Sequence, residues 1–158
     1  SKRVTVTARV AAMLPETADR HIKKLPLDKK PYWHIERARV GAGRKVAVEL
    51  VVNGVPKMRQ EIVADGSIVP VTFKMKIEKS SWLALRIFPA SHTNPVFVIV
   101  DDKPVRASRK SAEWCLKALR ASRKLATNAR GDERKAANKA YDHAEAVYVK
   151  ILEESTAD

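Results

Sequence analysis

Lys45-Val46-Ala47-Val48-Glu49-Leu50-Val51-Val52, then Asn53-Gly54, then Val55-Pro56-Lys57-Met58-Arg59-Gln60-Glu61-Ile62-Val63 is the stretch that decides the fold. Two runs rich in β-branched residues flank an Asn-Gly pair. That pair tolerates the positive φ angles of a type I′ turn, whose twist matches that of the strands on either side. Residues 46–63 are therefore expected to form a β-hairpin.

Upstream, Val4-Thr5-Val6-Thr7-Ala8-Arg9-Val10 alternates apolar residues with Thr and Arg, the period-two pattern of a half-buried strand. Residues 13–31 carry Pro15, Pro26 and Pro31 among charges and read as a long surface loop. Residues 32–40 read as a strand, turned into the hairpin by Gly41-Ala42-Gly43. Downstream, Asp65-Gly66 marks a turn, and residues 69–77, 82–88 and 96–100 supply three more strands. About seven short strands, with no helix-length segment between them, predict an antiparallel β-sandwich over residues 1–105.

The composition changes after Pro104. Ser108 is expected to cap a helix in which Trp114, Ala118, Leu119, Ser122 and Leu125 share one side, and Asn128 to Gly131 to end it. Asp132 is expected to cap a second helix with Ala137, Ala140, Tyr141, Ala144, Val147, Tyr148 and Ile151 as its stripe. Residues 106–158 thus read as a C-terminal αα-hairpin, and the chain as mainly β with α. Residues 106–130 hold eight basic side chains and one acidic, whereas residues 131–158 hold four and seven, so the two helices should attract each other.

A net charge of +13 over 158 residues favours an anionic partner, nucleic acid or another polyanion. Arg106, Arg109, Lys110, Lys117, Arg120, Arg123 and Lys124 form the densest basic face and are the candidate polyanion-binding residues. The competing reading is a solvated helix paired with its acidic neighbour. Cys115 is the only cysteine, which excludes an internal disulfide, and no apolar run approaches the roughly 18–20 residues of a membrane helix. Ser1-Lys2-Arg3 leads straight into a strand, as expected of a piece of a longer or processed product, so the compartment stays open.

Chemistry-bearing motifs are sparse. His21, His34, His92 and His143 are isolated, without the spacings of metal sites. Asp101-Asp102 reads as a solvated turn. Gly41-Ala42-Gly43-Arg44-Lys45 lacks phosphate-loop spacing and runs into a strand instead of a helix. Ser91-His92-Thr93-Asn94, bounded by Pro89 and Pro95, is the most reactive-looking segment, but a single His without an orienting acid fits a contact loop better than a catalytic one. Tyr32-Trp33-His34 can stack on a ligand or fill an interface, and Trp82 and Trp114 are assigned to the core. No catalytic residue, metal ligand or cofactor is assigned within the chain.

Four segments carry a resemblance: Lys30-Pro31-Tyr32-Trp33-His34-Ile35-Glu36-Arg37-Ala38-Arg39; the Asn53-Gly54-Val55-Pro56 hairpin; Ser80-Ser81-Trp82 through Ser91-His92-Thr93-Asn94-Pro95; and Lys103-Pro104-Val105-Arg106 through Glu113-Trp114-Cys115. Together they resemble the C-terminal part of CehA/McbA-type metallohydrolases of the polymerase-and-histidinol-phosphatase group. In that group a preceding domain holds divalent metals and hydrolyses its substrate with metal-activated water. The resemblance runs from about Val4 to Glu154, essentially the whole chain, though the segment from Arg120 to Arg130 is more basic than the family pattern. It implies a non-catalytic accessory or interface module, with the divalent metal confined to an upstream catalytic domain. Tyr32, Trp33, His34, Glu36, Arg37, Ser91, His92, Thr93 and Asn94 become candidates for facing that domain or its substrate. The alternatives are a free-standing basic protein that binds nucleic acid or another polyanion, and a self-assembling structural protein, a homo-oligomer.

Overall fold

The computed structural model describes residues 1–125 and 130–155. Asn128, expected to help end the first helix, lies outside them. The chain divides into two compact units, Ser1–Lys103 and Pro104–Asp158.

The first unit contains β1 (Lys2–Met13), the short helix α1 (Arg20–Lys24), a 3₁₀ turn (Ile35–Ala38), β2 (Lys45–Val52), β3 (Val55–Val63), β4 (Asp65–Ile77), β5 (Ser81–Ile87), β6 (Ser91–His92) and β7 (Val96–Val98). β1 and β4 form a two-stranded antiparallel sheet. The larger sheet runs β3-β2-β5, with β6 and β7 following one another along the far edge of β5. Alternation sets which side of each strand is buried. Val46, Val48, Leu50 and Val52 of β2 and Leu83, Leu85 and Ile87 of β5 point into the core, where they meet Val71, Phe73 and Ile77 of β4 and the half-buried Val4, Val6, Ala8 and Val10 of β1.

The Asn53-Gly54 turn has the expected geometry, with φ of 51° at Asn53 and 90° at Gly54. Asn53 is tied down further: its side-chain amide donates to Ser81 Oγ at 3.0 Å, and its Oδ1 accepts from the Trp82 backbone N–H at 3.0 Å. This joins the hairpin tip to the start of β5. Asp65-Gly66 opens β4 instead of forming a separate turn, because the chain crosses between sheets at Ala64, whose carbonyl accepts from Leu14 N–H and whose N–H donates to the Arg44 carbonyl.

Two expectations for residues 13–40 are corrected. The loop contains α1, capped by Asp19 Oδ1, which accepts from the backbone N–H groups of His21 and Ile22 at 3.0 Å. Residues 32–40 form no strand; they make a turn and the 3₁₀ helix Ile35–Ala38, followed by a single bridge between Arg39 and Val46. The cause is a buried ion pair spaced for a helical turn. Arg39 donates from Nε to Glu36 Oε1 at 2.5 Å and from Nη2 to Oε2 at 2.9 Å, and both side chains are almost wholly buried. Successive strand residues point to opposite sides, so this i,i+3 chelation needs the coiled backbone. The strand count survives only because the short β6 takes the place of the absent strand.

In the second unit, α2 (Arg109–Leu125) and α3 (Gly131–Glu154) pack as a helical hairpin. Ser108 caps α2 as expected, its hydroxyl accepting from Ser111 N–H at 3.0 Å. The covered side of α2 is only partly the one expected: Ala118 and Leu119 belong to it, but Trp114, Ser122 and Leu125 do not. Ala112 and Leu116 are buried, and Cys115, Ala118 and Leu119 are half-buried, whereas Trp114 is 70% exposed and Leu125 81% exposed. Trp114 sits two residues from Ala112 and from Leu116, so at 100° per residue it faces away from the stripe they define. Arg130, not Asp132, occupies the N-cap of α3, and Asp132 lies in its first turn, where its charge complements the helix dipole. Among the described residues the expected attraction between helices takes the form of four ion pairs: Arg120 with Glu145 at 2.8 Å, Arg123 with Asp142 at 2.8 Å and with Glu145 at 3.7 Å, and Arg106, just ahead of α2, with Glu154 at 2.8 Å.

Candidate interface site on the larger sheet

The residues of β5 that turn away from the core are Trp82, Ala84 and Arg86. The register brings Phe97 opposite Trp82, Val51 opposite Ala84, and both Glu49 and His92 opposite Arg86 on its two flanks. On this outer surface a cavity of about 590 Å³ opens, with Val51 and Ala84 beneath it and Trp82, Phe88, Pro89, Pro95 and Phe97 around it. Its polar rim is Arg86, Ser91, His92, Thr93 and Asn94. That volume lies in the range of ligand and peptide-anchor pockets. Phe97 is 61% exposed and Phe88 48% exposed, so large aromatic surface meets solvent at a rigid sheet, a feature that marks interaction sites.

The sequence builds this site locally. β5 turns at Phe88-Pro89-Ala90, closed by Ala90 N–H donating to the Ile87 carbonyl at 2.7 Å, and returns as β6. Thr93 then fastens the loop to the sheet: its N–H donates to the Leu85 carbonyl at 2.9 Å, and its hydroxyl oxygen accepts from Leu85 N–H at 3.1 Å. Arg86 donates to Glu49 Oε2 at 2.7 Å, and its guanidinium carbon stands 4.9 Å from the Phe88 ring centre. The pair is half-buried, so the arginine arrives with its charge compensated and its plane stacked.

His92 Nδ1 lies 3.1 Å from the Thr93 carbonyl oxygen, which makes that nitrogen the protonated one and leaves Nε2 for a partner. Among the described residues no carboxylate contacts His92, and no group of three or more His, Cys, Asp or Glu side chains is placed to hold a metal ion. The loop therefore offers hydrogen-bonding groups around an apolar well.

Compared with protein-family models, curated proteins and solved structures, the chain matches none. Ser91, His92, Thr93 and Asn94 come together at the rim of the well. Tyr32 and Trp33 form an exposed aromatic pair with ring centres 5.9 Å apart, and they do not line that well. His34 Nδ1 accepts from Glu36 N–H at 3.2 Å and caps the 3₁₀ turn. Glu36 is buried against Arg39 and presents nothing to a partner. Arg37 clasps the loop, donating to the carbonyls of Leu25, Pro26, Lys29, Pro31 and Tyr32. On α2, Arg120 and Arg123 are held by α3 carboxylates, and Arg109 stands 3.6 Å from Glu113, while Lys117 and Lys124 are exposed.

Trp82 is corrected from core to site: it is half-buried on the outer side of β5. Phe88, Phe97, Arg86 and Glu49 were not singled out from the sequence. The alternation of Leu83, Leu85 and Ile87 with Trp82, Ala84 and Arg86 was the signal available, because one of the two sets had to face outward.

Proposed function

We propose that this chain is a non-catalytic interface module of a metal-dependent hydrolase, and that the outer surface of its larger sheet docks on the domain holding the metals. The exposed aromatic well of Trp82, Phe88 and Phe97, rimmed by the loop from Ser91 to Asn94, carries this proposal. The resemblance of the segments around Trp82 and His92 to CehA/McbA-type enzymes supplies the partner: a preceding domain of the polymerase-and-histidinol-phosphatase group. Buried aromatic anchors in a pre-formed pocket are the usual centre of such interfaces.

The test mixes the purified chain with the metal-holding domain of a CehA/McbA-type hydrolase made without its own C-terminal part. Complex formation and hydrolysis are measured with Mn²⁺ or Zn²⁺. Association that weakens at least tenfold in Phe97→Asp supports the proposal. Turnover of ester, amide or phosphoester substrates by the chain alone, abolished by His92→Ala, overturns it.

A second reading, polyanion binding, is favoured by the net charge of +13 and by the exposure of Lys117 and Lys124 on α2. Binding to duplex DNA would then fall steeply with salt, and Lys117→Glu with Lys124→Glu would flatten that slope by about two. An unchanged slope would exclude the helix as the site.

A further inference from the structure

We propose that the free edge of β1 receives an extended peptide strand from a partner protein, with apolar side chains at alternate positions and acidic ones between them. Three observations converge there. Among the described residues β1, Lys2–Met13, pairs with β4 alone and along one edge, so about half of its backbone N–H and C=O groups face away from the sheet. From Val4 to Ala12 this edge carries no proline or glycine, and its core-facing residues Val4, Val6, Ala8, Val10 and Ala12 include no charge. Apart from the irregular pairing between Ala11 and Met13, such an edge lacks the prolines and inward-pointing lysines that ordinarily block strand addition.

Beneath it, a second cavity of about 380 Å³ opens between the Thr5–Ala8 stretch of β1 and Leu50, Leu83, Leu85 and Val96 of the opposite sheet. A two-stranded sheet cannot cover the wider one it packs against. A third strand beside β1 would place every second side chain over this cavity, so main-chain bonds would supply affinity and the cavity side-chain selectivity.

Charge chooses the occupant. The outward side of the ribbon pairs Arg3 with Lys76 and Thr5 with Lys74, and it continues through Thr7 and Thr72 to Arg9. Among the described residues Lys76 is paired with Glu78, while Arg3, Arg9 and Lys74 have no ion-pair partner. A second copy pairing antiparallel about Val6 would set Arg3 directly against Arg9 of its twin, and like charges opposite one another disfavour that register. A strand with Glu or Asp on its outward side meets the opposite sign at the same positions. This proposal rests on the edge of β1 and not on the aromatic residues around Trp82, although the cavity beneath β1 shares Ala84, Thr93 and Asn94 with that docking well.

The experiment uses the full chain and a fluorescent peptide of about nine residues alternating valine with glutamate, together with the same peptide carrying lysine for glutamate. Fluorescence anisotropy reads affinity, and amide hydrogen exchange reads location. The glutamate peptide should bind at least tenfold tighter, Arg3→Glu with Arg9→Glu should invert the preference, and exchange should slow within residues 2–13. N-methylating every second peptide residue should abolish binding in one register and spare it in the other, since only alternate N–H groups face β1. Phe97→Asp should leave all of this unchanged.

Equal binding of the two peptides, indifference to both N-methylated registers, or slowed exchange only outside β1 would overturn the proposal. So would a stable dimer whose β1 amides are already protected before peptide is added.

Discussion

Replacing Glu36 with alanine gives the sharpest test of how the loop before β2 is held, and of whether Glu36 belongs to a binding surface. Its carboxylate receives two hydrogen bonds from the Arg39 guanidinium, at 2.5 and 2.9 Å, and the two side chains are exposed by 1% and 0%. Arg39 also donates to the carbonyls of Pro15, at 2.7 Å, and Gly43, at 3.1 Å, so it cannot swing into water without releasing both ends of the loop. Glu36→Ala thus strands a cation in the interior, and removing one partner of such a pair costs about 3–5 kcal/mol. For a unit of this size each kcal/mol lowers Tm by about 4–8 °C, so the loss should be at least about 12 °C. Replacing both residues with apolar ones, Glu36→Leu with Arg39→Met, should cost less than Glu36→Ala alone, since no charge remains uncompensated. Urea and thermal unfolding in a Trp114→Phe background, where the fluorescence reports on Trp33 and Trp82 of the first unit, would measure both. A Glu36→Ala protein within about 1 kcal/mol of the parent, or a double variant worse than either single one, would refute the reasoning.

Three further outcomes are expected. Gly54→Ala should destabilise the first unit by about 1–3 kcal/mol in urea unfolding, because a residue at φ +90° is strained although the nearest side-chain atom, on Trp82, is 3.9 Å from the added Cβ. Leu116→Ala should cost about 2–5 kcal/mol in the helical unit, whereas Trp114→Ala should stay within about 0.5 kcal/mol; similar losses would mean that the covered side of α2 is the other one. Asp65 has its pKa lowered by hydrogen bonds from the Ser67 hydroxyl and backbone N–H, and Glu78 by the hydrogen bond from Lys76. A carboxyl whose pKa is lowered on folding stabilises above its unfolded value, and that contribution fades as pH falls through the folded value. Tm should therefore decline below about pH 4, and Asp65→Asn should make the decline shallower.

Much of the candidate site was written in the sequence, but not its arrangement. The loop Ser91-His92-Thr93-Asn94 stood out because hydroxyls, an imidazole and an amide share four positions between two prolines. Its aromatic companions did not, because Trp82, Phe88 and Phe97 are separated along the chain and meet only through the pairing of β5 with β7 and the turn after Ile87. Glu36 and Arg37 looked like surface chemistry in a strand. The 3₁₀ turn buries the first against Arg39 and spends the second on five backbone carbonyls. A large side chain can also mislead: Trp114 seemed to belong to the helix stripe, yet the smaller Ala112 and Leu116 define the covered side.

Short-range patterns by themselves determined the period-two strands, the Asn53-Gly54 hairpin, the Ser108 cap and the opposite charges of the two helices. Each is fixed by backbone geometry or charge within a few residues. Only the tertiary structure decided which side of β5 faces water, that Glu36 and Arg39 coil residues 35–38, and that β1, among the described residues, pairs along one edge only and borders a cavity. Those outcomes depend on contacts between residues far apart in the chain, and local periodicity carries no information about which distant strand will stand alongside.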